Sequence, residues 1–280
     1  MIEPANPAPL TVGVNTMSFM WKVSAREALE TLARAGYRRF EVMAQRPHFD
    51  PMMGRGEALA FRRYLKDAGL TVETVNMPSL DQNLASGTPE MRDHTVRLFE
   101  RLIGVAETIG ATGIIVVTGR VNPLIAPPRP EMEGWFAEAF ARVLRAAEAT
   151  GIKLLLENLP MGVYPRADQL IAFADGVDSP LVGICYDIAN AHYIGEDTNE
   201  GLRQVRSRLE IVHLSDTGRQ AWRHDPVGQG SCDFAGFGAT LRGIGYARSS
   251  MLEIVVGDGA LEHIVDSHRR VAQWGWAAPA

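Results

Sequence analysis

Two kinds of apolar spacing alternate along the chain. Short dense runs such as Leu154-Leu155-Leu156 have the length and character of strands buried on both faces. Between them lie longer stretches in which apolar residues recur every three or four positions, the mark of amphipathic helices. Thr11-Val12-Gly13-Val14-Asn15 predicts a first strand, and Ser24 is placed to cap a helix from Ala25 to Ala35 that closes at Gly36. Arg38 to Val42 predicts strand two. After a loop with Pro47 and Pro51, a helix is expected over Glu57 to Ala68, stopped by Gly69, and Leu70 to Val75 predicts strand three.

The same rhythm runs to the end of the chain. Thr88-Pro89 opens a long helix to Ile109 before Gly110, with proline at the first helical position. Ile114 to Val117 predicts strand four, and a proline-rich loop from Pro123 to Pro130 leads to a helix over Glu131 to Thr150. Strands are then expected at Lys153–Glu157, Val182–Asp187, Leu209–His213 and Ser250–Val256. Helices are expected over Pro165–Ala174, Asn199–Arg208, Phe234–Gly243 and Gly259–Gln273. Eight strand–helix units with no break in composition predict one α/β domain over residues 1–280, closed as a (β/α)8 TIM barrel. The alternative, an open doubly wound sheet, would bring a glycine-rich first turn, whereas the first strand leads into Asn15-Thr16-Met17-Ser18-Phe19.

Four consecutive strands carry one chemically capable residue at or near their ends. Leu154 to Leu156 runs into Glu157, Val182 to Tyr186 into Asp187, Leu209 to Val212 into His213, and Ser250 to Leu252 into Glu253. Strand alternation pairs Leu155 with Glu157, Cys185 with Asp187, Ile211 with His213 and Met251 with Glu253. In a barrel these ends share the rim where sites are built. Buried charges persist when paired or metal-bound, and no strand-borne Lys or Arg is at hand to neutralise three carboxylates. Three oxygen donors and one nitrogen suit a single divalent ion, Mn2+ preferred, with Mg2+, Co2+ or Zn2+ as alternatives.

Composition narrows the partners. The chain has 280 residues, 46% hydrophobic and 22% charged, with a formal net charge of −5. Its 28 Lys and Arg are scattered, so no nucleic-acid partner is expected. Two cysteines, Cys185 and Cys232, read as reduced thiols of a cytoplasmic protein. Met1 to Pro9 lacks the basic and apolar segments of a signal peptide and is expected to be a flexible tail. No run of 18 apolar residues occurs, so no membrane association is expected.

Glu157-Asn158, Tyr186-Asp187-Ile188-Ala189-Asn190-Ala191-His192, His213-Leu214-Ser215-Asp216 and Leu252-Glu253, in this order, resemble the xylose isomerase-like TIM barrel superfamily of sugar isomerases and epimerases. That superfamily also takes in the type 2 AP endonucleases, among them endonuclease IV, and inosose and 3-dehydroshikimate dehydratases. The resemblance implies that Glu157, Asp187, His213 and Glu253 hold one metal ion and that Glu157 and Glu253 exchange protons with the substrate. It further implies substrate contacts for Arg219, His224, and Asn190 or His192, and a homo-oligomer. Asn190 stands where the epimerases carry a histidine, and Val163 where they carry a further glutamate. Trp222 and Asn76 stand where endonuclease IV has additional zinc ligands, so a trinuclear zinc site is not expected.

The resulting expectation is a metal-dependent isomerase or epimerase of a small keto-sugar or polyol-derived hydroxy-ketone. The alternatives are a lyase, dehydratase or decarboxylase, with the same metal site, and a barrel that binds sugar without turnover. Gly257-Asp258-Gly259 is the one place that leaves room for a small phosphate. Met17, Phe19 and Trp21 could wall the substrate. Trp274 and Trp276 are expected to pack, and His94, His263 and His268 to face solvent from helices.

Overall fold

The computed structural model describes residues 8–278. Eight parallel strands close into a barrel in chain order: β1 Thr11–Asn15, β2 Arg39–Met43, β3 Thr71–Asn76, β4 Gly113–Val117, β5 Lys153–Glu157, β6 Val182–Asp187, β7 Leu209–Leu214 and β8 Ser249–Leu252. The helices are α1 Ala25–Arg34, α2 Arg55–Ala68, α3 Pro89–Ile109, α4 Arg129–Glu148, α5 Ala167–Val177, α6 Ile188–Tyr193, α7 Thr198–Val205, α8 Phe234–Gly243 and α9 Ala260–Ala272. The open doubly wound sheet is thereby excluded. Residues 1–7 of the expected tail lie outside the described residues; Ala8 and Pro9 are exposed.

Local chemistry explains most boundaries. Ser24 and Glu27 form a reciprocal capping box at the start of α1. Gly69 and Gly110 end α2 and α3 with φ of 64° and 90°, a region glycine enters without the steric penalty a Cβ brings. Pro89 occupies the first turn of α3, as expected, although Thr88 makes no side-chain cap.

Four differences from the sequence reading have physical causes. β8 stops at Leu252, because the apolar run that follows is drawn off the sheet: Ser18 Oγ donates to Ile254 O at 2.5 Å and accepts from Val256 N, while Val255 N donates to His224 O. α4 begins at Arg129, inside the segment expected to be loop, because a proline fits its first turn. α6 was not expected; the Asp187 carboxylate caps it by accepting from Asn190 N at 2.8 Å. His268 is buried rather than solvent-facing: its ring bridges Tyr37 Oη at 3.1 Å and Ala277 O at 2.8 Å.

The core has two layers. The larger packs the outer faces of the strands against the helices, and a small inner cluster fills the barrel with Ile115, Leu155, Cys185, Ile211 and Met251. Four of these five are the residues that alternation paired with the predicted ligands, so the ligands stand one layer above a packed apolar plug. Trp274 stacks on Phe234, and Trp276 is buried with Nε1 donating to Ser250 Oγ at 3.1 Å, so both tail tryptophans pack as expected. Among the described residues no helix is long and apolar enough to cross a membrane.

Candidate metal centre

Glu157 and Asp187 are the last residues of β5 and β6, His213 lies near the end of β7, and Glu253 immediately follows β8. Sheet register sets their heights. A shift between Ile184 and Cys185 brings Asp187 level with His213, and His213 is level with Met251. The four side chains are buried, and one ligand atom from each lies within 4.8 Å of the others.

The orientation of the imidazole is specific. His213 Nδ1 faces Glu157 Oε1 and Glu253 Oε2, both at 3.1 Å, with Asp187 Oδ2 at 3.9 Å. Asp187 divides its two oxygens: Oδ1 caps α6, and Oδ2 is buried with no hydrogen-bond partner. Asn158 clamps the Asp187 backbone from both sides, accepting from its N at 2.7 Å and donating to its O at 2.9 Å.

No Lys or Arg pairs with these carboxylates among the described residues; their charged neighbours are His213 and His224. Burial pushes the Glu157 and Asp187 carboxyls up, Asp187 to about 7. Burial would raise Glu253 as well, but the imidazoles of His213 and His224 outweigh it and hold Glu253 below the usual carboxylate range. His224 is opposed by desolvation, yet Asp187 and Glu253 carry it up to about 9. A dry pocket of this kind, with an unpartnered carboxylate oxygen aimed at three further donors, fits a divalent cation.

One carboxylate escaped the sequence reading. Glu41, the middle residue of β2, is fully buried and accepts from Asn15 Nδ2 at 2.6 Å, Asn76 Nδ2 at 2.9 Å and Thr74 Oγ1 at 2.6 Å. Its Oε1 lies 3.1 Å from His213 Nε2, off the line of a hydrogen bond. Asn15 Nδ2 also donates to Glu253 Oε1 at 2.9 Å. The only signal in the sequence is a Glu between Phe40 and Val42, without the apolar run that precedes Glu157.

Above the quartet opens a cavity of about 530 Å3, within the size range of ligand sites. Glu157 and Glu253 line it, with Asn190, His224, Arg120 and Arg223 as further polar groups. Met17, Met20, Trp21, Leu80, Leu159, Trp222 and Val255 form apolar walls, so Met17 and Trp21 line it as expected whereas Phe19 is core. Trp222 Nε1 donates to Asn190 Oδ1 at 2.6 Å, leaving the buried Asn190 Nδ2 without a partner. His224 Nδ1 lies 3.2 Å from Glu253 Oε2 and 3.6 Å from Asp187 Oδ2. His192 and Arg219 lie elsewhere: they line a separate surface recess with Ser231, whose hydroxyl is 2.8 Å from His192 Nε2. Arg120 and Arg223 were not among the expected contacts.

Comparison with known proteins follows this geometry. A probable endonuclease 4 of Mycobacterium ulcerans is 27% identical over 181 residues, 60% of this chain and 68% of the relative. The crystal structure of a D-tagatose 3-epimerase-like protein superposes with a TM-score of 0.82 at 20% identity, covering 95% of this chain and 97% of that one. The IolI protein, crystallised with a zinc atom, superposes with a TM-score of 0.78 at 17% identity over 96% of this chain and 100% of its own. The family profile described as xylose isomerase-like TIM barrel matches residues 29–274, and the chain belongs to that family.

Proposed function

We propose that this protein is a divalent-metal-dependent isomerase or epimerase of a small keto-sugar or related hydroxy-ketone. The observation that carries this is the buried quartet beneath the cavity, with Asp187 Oδ2 unpartnered and no Lys or Arg paired with the carboxylates among the described residues. Glu157, Asp187, His213 and Glu253 would hold the ion, Mn2+ by preference. Bound there, it supplies positive charge to stabilise the oxyanion that develops when a carbon acid beside a carbonyl loses its proton.

The remaining chemistry falls to the chain itself. Glu157 and Glu253 reach the cavity from strands separated by β6 and β7, so substrate can lie between them with one carboxylate towards each face. One removes the proton and the other returns it. Glu253 has both oxygens engaged, Oε1 by Asn15 and Oε2 by the two imidazoles. Glu157 engages Oε1 with His213, leaving Oε2 as the freer oxygen for the first proton transfer. Asn190 Nδ2, which has no protein partner, and His224 would hold substrate hydroxyls, with apolar side chains along the cavity walls. His192 and Arg219 would contact only a substrate that reached the neighbouring recess.

An endonuclease reading draws less support. The third strand ends in Asn76, and Trp222 precedes His224 by two, so the additional metal ligands expected of endonuclease IV have no counterpart at those positions. The free thiols of Cys185 and Cys232 favour a reducing, cytoplasmic setting.

The test is NMR of the Mn2+-loaded protein in D2O with a panel of keto-sugars. Deuterium should enter the carbon next to the carbonyl. Glu157→Gln and Glu253→Gln should each cut exchange by roughly 10²–10⁴-fold with the circular dichroism unchanged. Exchange at wild-type rates in both variants would sink the two-carboxylate mechanism, and no exchange with any substrate would sink the assignment.

A further inference from the structure

We propose that Glu41 is a positioning residue for the metal centre: from behind His213 it fixes the ring so that Nδ1 is the nitrogen offered to the ion. This rests on the metal-dependent reading above. Glu41 belongs to neither set of converging donor atoms, Glu157 with Asp187, His213 and Glu253 or Glu157 with Cys185 and His213.

The two edges of the His213 ring face different groups. Nδ1 looks into the quartet, and Nε2 lies 3.1 Å from Glu41 Oε1, off the line of a hydrogen bond, with the Cys185 thiol also beside the ring. A neutral imidazole carries one ring proton, so with Nδ1 committed to a cation the proton sits on Nε2, where Glu41 is the facing carboxylate. Without a carboxylate there, either tautomer and either ring flip would be open to His213, and the wrong one would direct an N–H at the cation.

Glu41 has no other evident need to be acidic. Its hydrogen bonds come from the side chains of Asn15, Thr74 and Asn76, neutral donors that an amide oxygen would largely satisfy. No Lys or Arg pairs with it among the described residues, and a carboxylate buried to this degree is expensive. The feature that calls for a carboxylate is the imidazole edge. Asn15 ties the arrangement together, bridging Glu41 Oε1 to Glu253 Oε1 through one amide nitrogen. The same contact leaves Glu253 Oε2 turned towards His213 Nδ1.

The experiment titrates Mn2+ into wild type and Glu41→Gln by calorimetry and electron paramagnetic resonance, with the unfolding temperature of each ion-free protein measured alongside. Positioning predicts an affinity lowered about 10–100-fold in the variant. A merely structural role would lower the ion-free unfolding temperature and leave the Mn2+ affinity unchanged, and that result overturns the proposal. If Glu41→Gln does not fold, nitrogen-15 NMR of the zinc-loaded wild type decides: the His213 proton on Nε2 supports it, and zinc on Nε2 with the proton on Nδ1 overturns it. Wild type that binds no divalent ion would overturn this inference together with the functional reading, whereas equal binding by both proteins removes the inference alone.

Discussion

Two histidines remote from the metal centre set a pH limit on the fold. His48 lies with Nδ1 2.7 Å from Val23 O and Nε2 2.9 Å from Thr16 Oγ1, and His268 bridges Tyr37 and Ala277. Burial lowers the pKa of both, so the folded state resists protonating them. In the unfolded chain they take up protons below about 6.5. The unfolded state therefore binds more protons in that window, and stability is lost as the pH falls from about 6.5 towards the folded values. Between pH 7 and pH 5 this loss runs against the gain from the raised Asp187 carboxyl, so the test is differential: as the pH drops, the wild-type urea midpoint should fall relative to that of His268→Gln, which should itself be less stable at neutral pH by about 1–3 kcal/mol; a difference independent of pH would contradict the assignment. Periodicity already hinted at His268, which stands four residues after the buried Ile264 and three before the buried Val271. The convergence of Glu157, Asp187, His213 and Glu253 was legible because each follows a short, largely apolar strand segment. Glu41 was not, because Arg39 and Glu41 alternate with Phe40 and Val42 and so look like the wet face of a half-buried strand. Only barrel closure turns that face inward.

The long connection from β7 to α8 supplies Trp222, Arg223, His224 and Asp225 to the cavity wall. Its organiser is Asp216, whose Oδ1 accepts from Thr217 N at 2.9 Å and Cys232 N at 3.0 Å while Oδ2 accepts from Gly228 N at 2.8 Å. The backbones of Asp216 and Asp225 exchange a further pair of bonds at 2.8 Å, which closes a small loop carrying Trp222, Arg223 and His224 over the metal site. Gly230 is obligatory within it, because a Cβ there would meet Asp216 and Thr217 at 2.4 Å. Asp216→Ala removes all three carboxylate bonds and should destabilise the protein by roughly 3 kcal/mol. The loop should become a preferred site of proteolysis, and turnover should fall because His224 and Trp222 lose their anchor. Unchanged proteolysis and kinetics would show that the loop is held otherwise. The motif His213-Leu214-Ser215-Asp216 was visible in the sequence, but not that Asp216 folds a loop rather than meeting substrate. Nor could sequence place Arg219 and His192 in a separate recess, since chain proximity to His213 and Asp187 says nothing about which side of the loop a residue takes. α6 was invisible for a related reason: six residues are too few for a helical period, and its cap is itself a proposed ligand.

At the scale of the whole molecule, the barrel concentrates Glu41, Glu157, Asp187, Glu253, His213 and His224 around one point, with no Lys or Arg paired with them among the described residues. Without an ion, protons must do the balancing. Asp187 shows it, its carboxyl raised by burial to about 7 against about 3.9 in an unfolded chain. Stability derived from folding Asp187 as a neutral acid is complete below about 3.9 and is lost as the pH rises through about 7. Glu253, shifted the other way by the two imidazoles, stays ionised in the fold, so its opposing slope is confined to the acid end, where an unfolded glutamate takes up protons, below about 5. A divalent ion replaces the protons, so its binding should release them, and its affinity should climb between pH 5.5 and 8. Calorimetric titration in buffers of different ionisation heat measures the release directly. Loading should also raise the unfolding temperature, by roughly 5–10 °C at a hundredfold excess over the dissociation constant, with EDTA reversing the gain. The gap between loaded and ion-free protein should widen with pH, because the ion-free state loses its neutral Asp187 while the loaded state never depended on it. A gap that narrowed, or binding without proton release, would mean that the buried carboxylates are already ionised and balanced from elsewhere in the fold.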